Sequence, residues 1–586
     1  MGDIRRYLQI RSSGQPAYTA DGRRLLLTGD LTGLPQAWTV PAGGGWPVQL
    51  SGGGERVRWV AASPVDAGVA VAGRDVGGDE RTQLWLLSAD GAVEQPLTAE
   101  PRTIHRFGDF TPDGDGLVFA ANDRNGVDFD LYRRDLDGGS AHLVTTLSGS
   151  QHPGAVAPDG SAVVVVHARS LMESDLQVVD LRTGAVRLLA AGGRHRPGGF
   201  DDEGRRLYLA ADHGRDHLAA WRVDLATGAW ERFGPADRDI EEVAVRAGAG
   251  VLRVNDDGRS RLHRFDPTSL EVGDETALPT GVVSDLALAP DGRRVAFAFS
   301  GAVHPGAVWE VEVGAVDARP TTPASTPGLD PAAFVAPEIA HATSFDGLSV
   351  PLLVYRPHGG AGRGPAVISV HGGPESQERP GFNPVHQYLL AEGVAVVAPN
   401  VRGSTGYGRR YAGLDDRGRR LDAVADLDAV AGWAGEQGFD PLAIMGGSYG
   451  GYMTLSALTA FPARFAAGVS IVGMADLETF LENTGGYRRA LREAEYGSLD
   501  ADRDLLSALS PIHRVDRINA PLLVIHGAND PRVPISEAEQ IVEALRARQR
   551  PVEYLRFDDE GHGIARFDNR VTAYTAVAEF LVRHLL

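Results

Sequence analysis

A unit recurs along roughly the first 315 residues, and it restricts the architecture more than any other feature of the chain. Its clearest copy is TPDGDGLVFAANDRNGVDFDLYRRDLDGG at 111–139, where short alternating strands end in turn residues. Related turns lie around Asp21, Asp66, Asp113, Asp159, Asp202 and Asp291, for example TADGRRLLL and APDGSAVVVV. Successive turns are 45, 47, 46 and 43 residues apart, and the last gap of 89 has room for two units. The unmarked turn is expected at VRAGAGVLRV, near Gly248. A period of about 40–50 residues with several strands per unit is the pattern of a β-propeller blade, and seven blades are predicted. A solenoid or a sandwich would leave more strand edges exposed than a closed ring does. In each blade the Asp-Gly turn provides the positive φ of a tight hairpin, and alternate residues beyond it bury one face of a four-stranded sheet.

The stretch DARPTTPASTPGLDPAAF at 317–334 is rich in Pro, Thr and Ala, has no periodic apolar pattern, and marks a boundary. The expected organisation is a propeller with a short N-terminal segment over 1–316, a linker over 317–335 and a second domain over 336–586. In that second domain near-continuous apolar strands, among them AVISVHGG, GVAVVAPN, LAIMGGS and PLLVIHGAND, alternate with helical segments at 421–438 and 535–550. Such strands are buried on both faces, which predicts a doubly wound, mostly parallel sheet.

Composition excludes several chemistries. The chain has no cysteine, so it forms no disulfide, thiolate nucleophile or cysteine-ligated metal site, as suits a reducing compartment. All 57 basic residues are arginine, which removes Schiff-base chemistry, serine-lysine dyads and the Walker A loop. A net charge of −20 disfavours nucleic acid as a partner. No apolar run approaches the roughly 20 residues that span a bilayer, and the N-terminus lacks a secretory pattern. The expectation is a cytoplasmic protein with no membrane partner, no metal and no cofactor.

Residues 444–453 read IMGGSYGGYM. The strand LAIM runs into Gly446-Gly447-Ser448-Tyr449-Gly450 and then into an apolar helix, the G-x-S-x-G nucleophile elbow in its structural context. Its glycines are required where a β-carbon would collide with neighbouring strand or helix, and the turn places the serine hydroxyl at a helix N-terminus. A hydroxyl nucleophile needs a base, and the base a carboxylate to orient it, in the order Ser, Asp, His for this fold. Asp530 follows the strand PLLVIHGAN and His562 follows VEYLRF, each at a strand's C-terminal end, where ligands of such sheets bind. His526, Asp558 and Asp559 are the nearby competitors and are read as structural.

HGGP at 371–374, PNVRGSTGYG at 399–408, GGSYGGYM at 446–453, HGANDPRVP at 526–534 and GHG at 561–563 together resemble the prolyl oligopeptidase family, nearest its acylaminoacyl-peptidase-like branch. The resemblance implies an α/β hydrolase domain with an N-terminal seven-bladed β-propeller across nearly the whole chain. It implies that Ser448 attacks the scissile carbonyl, His562 moves the proton and Asp530 holds the imidazole. The backbone N–H groups of Tyr449 and Gly373 would meet the oxyanion. Arg532, two residues past the aspartate, would bind a substrate carbonyl rather than form a surface salt bridge. Val533, Val472 and Phe480 are expected in the specificity pocket. In GGDERTQLW at 77–85, Glu80 either approaches Arg532 across the domain interface or is a solvated loop carboxylate. The Glu241–Glu242 pair invites comparison with the acidic grip on a free amino terminus in dipeptidyl peptidases, but DIEEVAV reads as an ordinary strand.

The expected function is a serine peptidase that cleaves short peptides through an acyl-enzyme, the propeller restricting access to the cleft. A carboxylesterase on the same triad is the enzymatic alternative, and a non-catalytic propeller-based binding protein the alternative of another class. Edge strands in the hydrolase half offer a surface for a homo-oligomer.

Overall fold

The computed structural model describes residues 3–359 and 363–586. Seven four-stranded antiparallel sheets follow one another from the strand Ser13–Tyr18 to Arg319–Pro320, giving the predicted seven-bladed propeller. The turn that the repeat left unmarked joins Asp239–Arg246 to Ala249–Asp256. Its two residues, Ala247 and Gly248, have φ of 48° and 70°, the pair of positive values that a two-residue hairpin demands. The signal is faint because alanine stands where asparagine or aspartate is usual.

Each sheet is built from consecutive strands, so the first and last blades share none. Side chains close the ring instead. Tyr18 donates its hydroxyl to Glu310, Ser13 and Thr322 exchange a hydrogen bond of 2.6 Å, and Arg294 donates to the Gly22 carbonyl at 2.8 Å. Beneath these contacts Tyr18, Leu25 and Leu27 of the first blade pack against Ala289, Ala296 and Val308 of the last.

The second half forms one eight-stranded sheet. Glu338–Thr343 and Ser349–Tyr355 are antiparallel at one edge, followed in spatial order by the parallel strands Ala395–Pro399, Gly364–Val370, Phe439–Gly447, Ala467–Ile471, Leu522–Gly527 and Val552–Phe557. Adjacent residues of one strand point to opposite faces, and both faces are covered. Ile368, Ile444 and Val524 face the helices Arg420–Glu436, Tyr449–Ala460 and Ser536–Ala547, while Val367, Ala443 and Leu523 face Pro384–Ala391 and Phe567–Leu585. This explains the unbroken apolar runs, each such side chain contributing about 1.5–3 kcal/mol by burial. This is an α/β hydrolase sheet with its strands' C-terminal ends toward the site.

One placement is not legible in the repeat. The helix Ile4–Leu8 precedes the first blade in sequence but packs on the hydrolase, Ile4 and Leu8 joining the cluster of Leu389, Val577 and Leu581. Among the described residues no helix is long and apolar enough to cross a membrane.

The two halves meet through charge of one polarity. Among the described residues, every ion pair across the interface joins an arginine of the hydrolase to a carboxylate of the propeller. Arg379 meets Glu241 at 2.8 Å, Arg532 meets Glu80 at 2.7 Å, Arg410 and Arg570 meet Asp216 and Asp30 at 3.1 Å, and Arg566 meets Glu55 at 3.2 Å. Longer contacts run from Arg409 to Glu173 and Asp212.

Candidate active site

Ser448 stands between the strand Phe439–Gly447 and the helix Tyr449–Ala460 with φ 56° and ψ −118°. A serine in that region is strained, and strain of this kind persists only where the surroundings over-determine it. The glycines on either side supply the reason. A Cβ on Gly446 would lie 2.4 Å from the Gly450 backbone, and one on Gly450 would lie 2.1 Å from the Val370 carbonyl oxygen. Strand and helix therefore approach so closely that the turn between them is forced out, carrying the hydroxyl into the cleft.

Asp530 and His562 arrive from the ends of Leu522–Gly527 and Val552–Phe557. His562 Nδ1 lies 2.6 Å from Asp530 Oδ2, and its Nε2 lies 2.9 Å from Ser448 Oγ. The carboxylate can only accept, so the proton sits on Nδ1 and Nε2 is free to accept the serine proton. Asp530 also accepts from the backbone N–H groups of Arg532 and Val533, at 2.8 and 3.0 Å. Burial alone would raise its carboxyl, but hydrogen bonds with His526 and His562 and their charge outweigh burial and hold it well below the usual carboxylate range. A hydroxyl, an imidazole and an ionised carboxylate in this series can convert an alcohol into a nucleophile.

The competitors lie elsewhere. His526, fully buried, directs Nε2 at the Val533 carbonyl oxygen at 2.9 Å, with Asp530 at 3.5 Å. Asp558 pairs with Arg556 at 2.8 Å and Asp559 with Arg566 at 3.1 Å.

A profile of the prolyl oligopeptidase family matches residues 380–586. The chain is 32% identical over 566 residues to dipeptidyl aminopeptidase BIII of Pseudoxanthomonas mexicana, an alignment covering 86% of this chain and 77% of that enzyme. The chain belongs to the prolyl oligopeptidase family. It is a serine peptidase. It is also 28% identical over 230 residues to the human acylamino-acid-releasing enzyme, covering 38% of this chain and 31% of the relative. Its fold matches a puromycin-hydrolysing peptidase of Mycobacterium tuberculosis with a TM-score of 0.86 at 22% identity, over 100% of this chain and 96% of the other.

In this serine peptidase Gly373, Arg532, Val533, Phe480 and Val472 fall into two cavities that share Ser448 and His562. A small one of about 80 Å³ is lined by Gly373, Phe480, Arg532 and Val533. Gly373 belongs to the HGGP turn, whose His371 places its ring nitrogens 2.7 Å from the Gly372 carbonyl oxygen and 2.9 Å from the Ser404 hydroxyl. Tyr449 opens the helix that Ser448 precedes, so its N–H belongs to the first turn, whose donors lack intrahelical partners. The larger cavity, about 830 Å³, carries Val472, Glu378 and Arg11. Val472 thus lines the larger cavity, whereas Phe480 and Val533 line the smaller one. Its φ of 45° is rare for a β-branched residue and turns the chain away just beyond the strand Ala467–Ile471.

Glu80 lies at Arg532. The guanidinium Nε is 2.9 and 3.0 Å from the two carboxylate oxygens, and Nη2 is 2.7 Å from Oε1. Burial would raise the glutamate, yet the hydrogen bond and charge of Arg532, with the charge of Arg58, keep it below its ordinary value. Glu80 itself has φ 59°, so the propeller loop holds it in a strained conformation. Glu241 and Glu242 behave as strand residues: Arg253 pairs with both, at 2.5 and 3.0 Å, and Arg379 with Glu241.

Sequence reasoning missed the helix Gly486–Tyr496. Arg488, Arg492 and Tyr496 line the small cavity together with Met474. Their spacing of four residues is the available signal, since it sets three side chains on one helix face.

Proposed function

We propose that this peptidase hydrolyses short peptides by an acyl-enzyme route in which Ser448 is the nucleophile, His562 the proton carrier and Asp530 the group that orients it. The observation that carries this reading is the unbroken series from Asp530 through His562 to Ser448, at 2.6 and 2.9 Å. Ser448 Oγ adds to the carbonyl carbon as its proton passes to His562 Nε2. The C–N bond then breaks and the amine leaves with that proton. Water, deprotonated by His562, attacks the Ser448 ester, and the acid leaves as Ser448 regains a proton. Charge on the tetrahedral oxygen is met by the N–H groups of Tyr449 and Gly373. Arg532, anchored by Glu80, receives a backbone carbonyl of the substrate, while Phe480 and Val533 contact the side chain preceding the cleaved bond and Val472 flanks the nucleophile from the larger cavity.

The organisation we propose is a propeller over 1–316, a linker over 317–335 and a catalytic domain over 336–586, the ring admitting short or unfolded chains. The relatives named as a dipeptidyl aminopeptidase and an acylamino-acid-releasing enzyme support substrates cut near a terminus. The test combines fluorophosphonate labelling of Ser448 with mass-spectrometric profiling of products from acetylated, free and amidated peptides and matched esters. Labelling with peptide cleavage is expected. Turnover of esters alone, or no label, overturns the reading.

A further inference from the structure

The small cavity under Ser448 has an unusual charge environment. Of the arginines on its wall, Arg532 is matched by Glu80 at 2.7 Å, and Arg492 by Glu495 at 3.0 Å with Glu375 at 3.5 Å. Arg488 has no carboxylate within 4.0 Å among the described residues, and its buried Nε has no hydrogen-bond partner. The charge of the fully buried Arg420, by contrast, is matched by Asp415 and Glu495, although its Nε also lacks a hydrogen-bond partner. Burial of an unpaired charge is costly, and a site of this kind favours a counter-ion that arrives from outside.

The interface sharpens the point. Elsewhere arginines of the hydrolase pair with propeller carboxylates. An adjoining cavity of about 310 Å³ is lined by Arg488 and, from the propeller, by Arg106 and by Glu80, whose carboxylate Arg532 already holds. Arg106 stacks 3.5 Å over the Phe129 ring and donates to Ser150 Oγ and the Gln151 carbonyl, both at 2.9 Å, again with no carboxylate within 4.0 Å among the described residues. Burial is the largest cause lowering the pKa of both; the charge of Arg488 also lowers Arg106 against Tyr487, and the charges of Arg492 and Arg532 also lower Arg488 against Tyr487 and Glu80. Two like charges thus line one cavity, whereas the ion pairs across the interface join opposite charges.

We infer that the small cavity takes an acidic side chain, so that the peptidase prefers aspartate or glutamate as the residue whose carbonyl Ser448 attacks. The cavity begins at Ser448 and His562 and reaches Arg488, while Phe480, Met474 and Val533 give apolar walls for the methylene groups. The carboxylate would supply the partner that Arg488 lacks, and a charged hydrogen bond in a desolvated site contributes more than a neutral one. This rests on the serine peptidase reading above and specifies its substrate class.

The test measures kcat/KM for peptide anilides, blocked and free at the amino end, carrying Glu, Gln, Asp, Asn, Ala, Phe or Arg before the cleaved bond. The Glu/Gln and Asp/Asn pairs differ in charge at nearly constant shape, and at least one pair is expected to favour the acid about tenfold or more. In Arg488→Met that ratio should fall toward one, and in Arg488→Lys part of it should return. Each ratio is taken within one protein, so a general loss of activity cancels. Faster turnover of the amide members or of Phe by the wild type overturns the inference while leaving the peptidase reading intact. A ratio unchanged in Arg488→Met also overturns it. Failure to cleave any member, with no fluorophosphonate label, overturns both.

Discussion

The backbone of Gly78, in the propeller, lies directly against that of Gly561, the residue before His562. A Cβ on Gly561 would sit 2.0 Å from the Gly78 carbonyl oxygen, and one on Gly78 2.6 Å from the Gly561 nitrogen. Next to this contact Asn529 donates to the Gly77 carbonyl at 3.1 Å. The loop that presents Glu80 to Arg532 therefore also braces the loops that carry Asp530 and His562. The Gly561→Ala variant should displace His562 and lower kcat/KM about a hundredfold, since a misplacement of about 1 Å at a reacting group has that effect. Wild-type rates of peptide cleavage and fluorophosphonate labelling in Gly561→Ala would show that the brace is not needed.

Within the triad, Ser448→Ala should abolish labelling and reduce turnover by at least about 10⁴-fold. Asp530→Asn is expected to cost about 10⁴ in kcat, because an amide can donate to Nδ1 and so favour the wrong tautomer. Folding, followed by circular dichroism, should persist in both. A variant that retains more than a tenth of wild-type turnover would remove that residue from the mechanism.

The one-sided charge of the interface predicts a dependence on ionic strength. The Debye length falls from about 10 Å at 0.1 M salt to about 3 Å at 1 M, and exposed pairs contribute only about 0.2–1 kcal/mol each. Arg410 is among the most exposed of these partners, at 89%. Raising salt should loosen the two halves and increase the radius of gyration measured by small-angle scattering. Asp216→Arg, which faces Arg409 and Arg410, should do so already at low salt. A radius indifferent to both changes would mean that apolar contacts hold the halves together.

Glu378 gives a pH dependence of defined sign. Its N–H donates to Asn400 Oδ1 at 2.6 Å, the residue lines the large cavity, and burial raises its carboxyl to about 7. In an unfolded chain a glutamate titrates near about 4.3. Between these values the folded protein binds the extra proton, so stability falls as pH rises through the window and the loss is complete above pH 7. Glu378→Gln removes the penalty. Its melting temperature should exceed that of the wild type at pH 8 and match it near pH 4, as scanning calorimetry can measure. Equal shifts at both pH values would point to packing instead.

Features that depend on local backbone geometry were legible in the residues alone. The elbow at Ser448 needs glycine where a β-carbon meets a neighbouring backbone atom, and the blade repeat follows from the two-residue period of strands joined by tight turns. The order of Ser448, Asp530 and His562 follows because each side chain stands just past the end of a parallel strand. The environment of the small cavity was not legible, since a line of letters does not show that Arg488 lacks a paired acid or that Arg106 shares the adjoining cavity with it. Pairing of charges is decided by which surfaces meet. Glu80 and Arg532 are 452 positions apart, and the helix Ile4–Leu8 docks on residues near the opposite end of the chain. The sequence determined the two folds and the placement of Ser448, Asp530 and His562 past strand ends, because those are set by local sterics and periodic burial. Only the tertiary structure decided the charge balance of the pocket, because at close range electrostatic pairing depends on distance in space and not on distance along the chain.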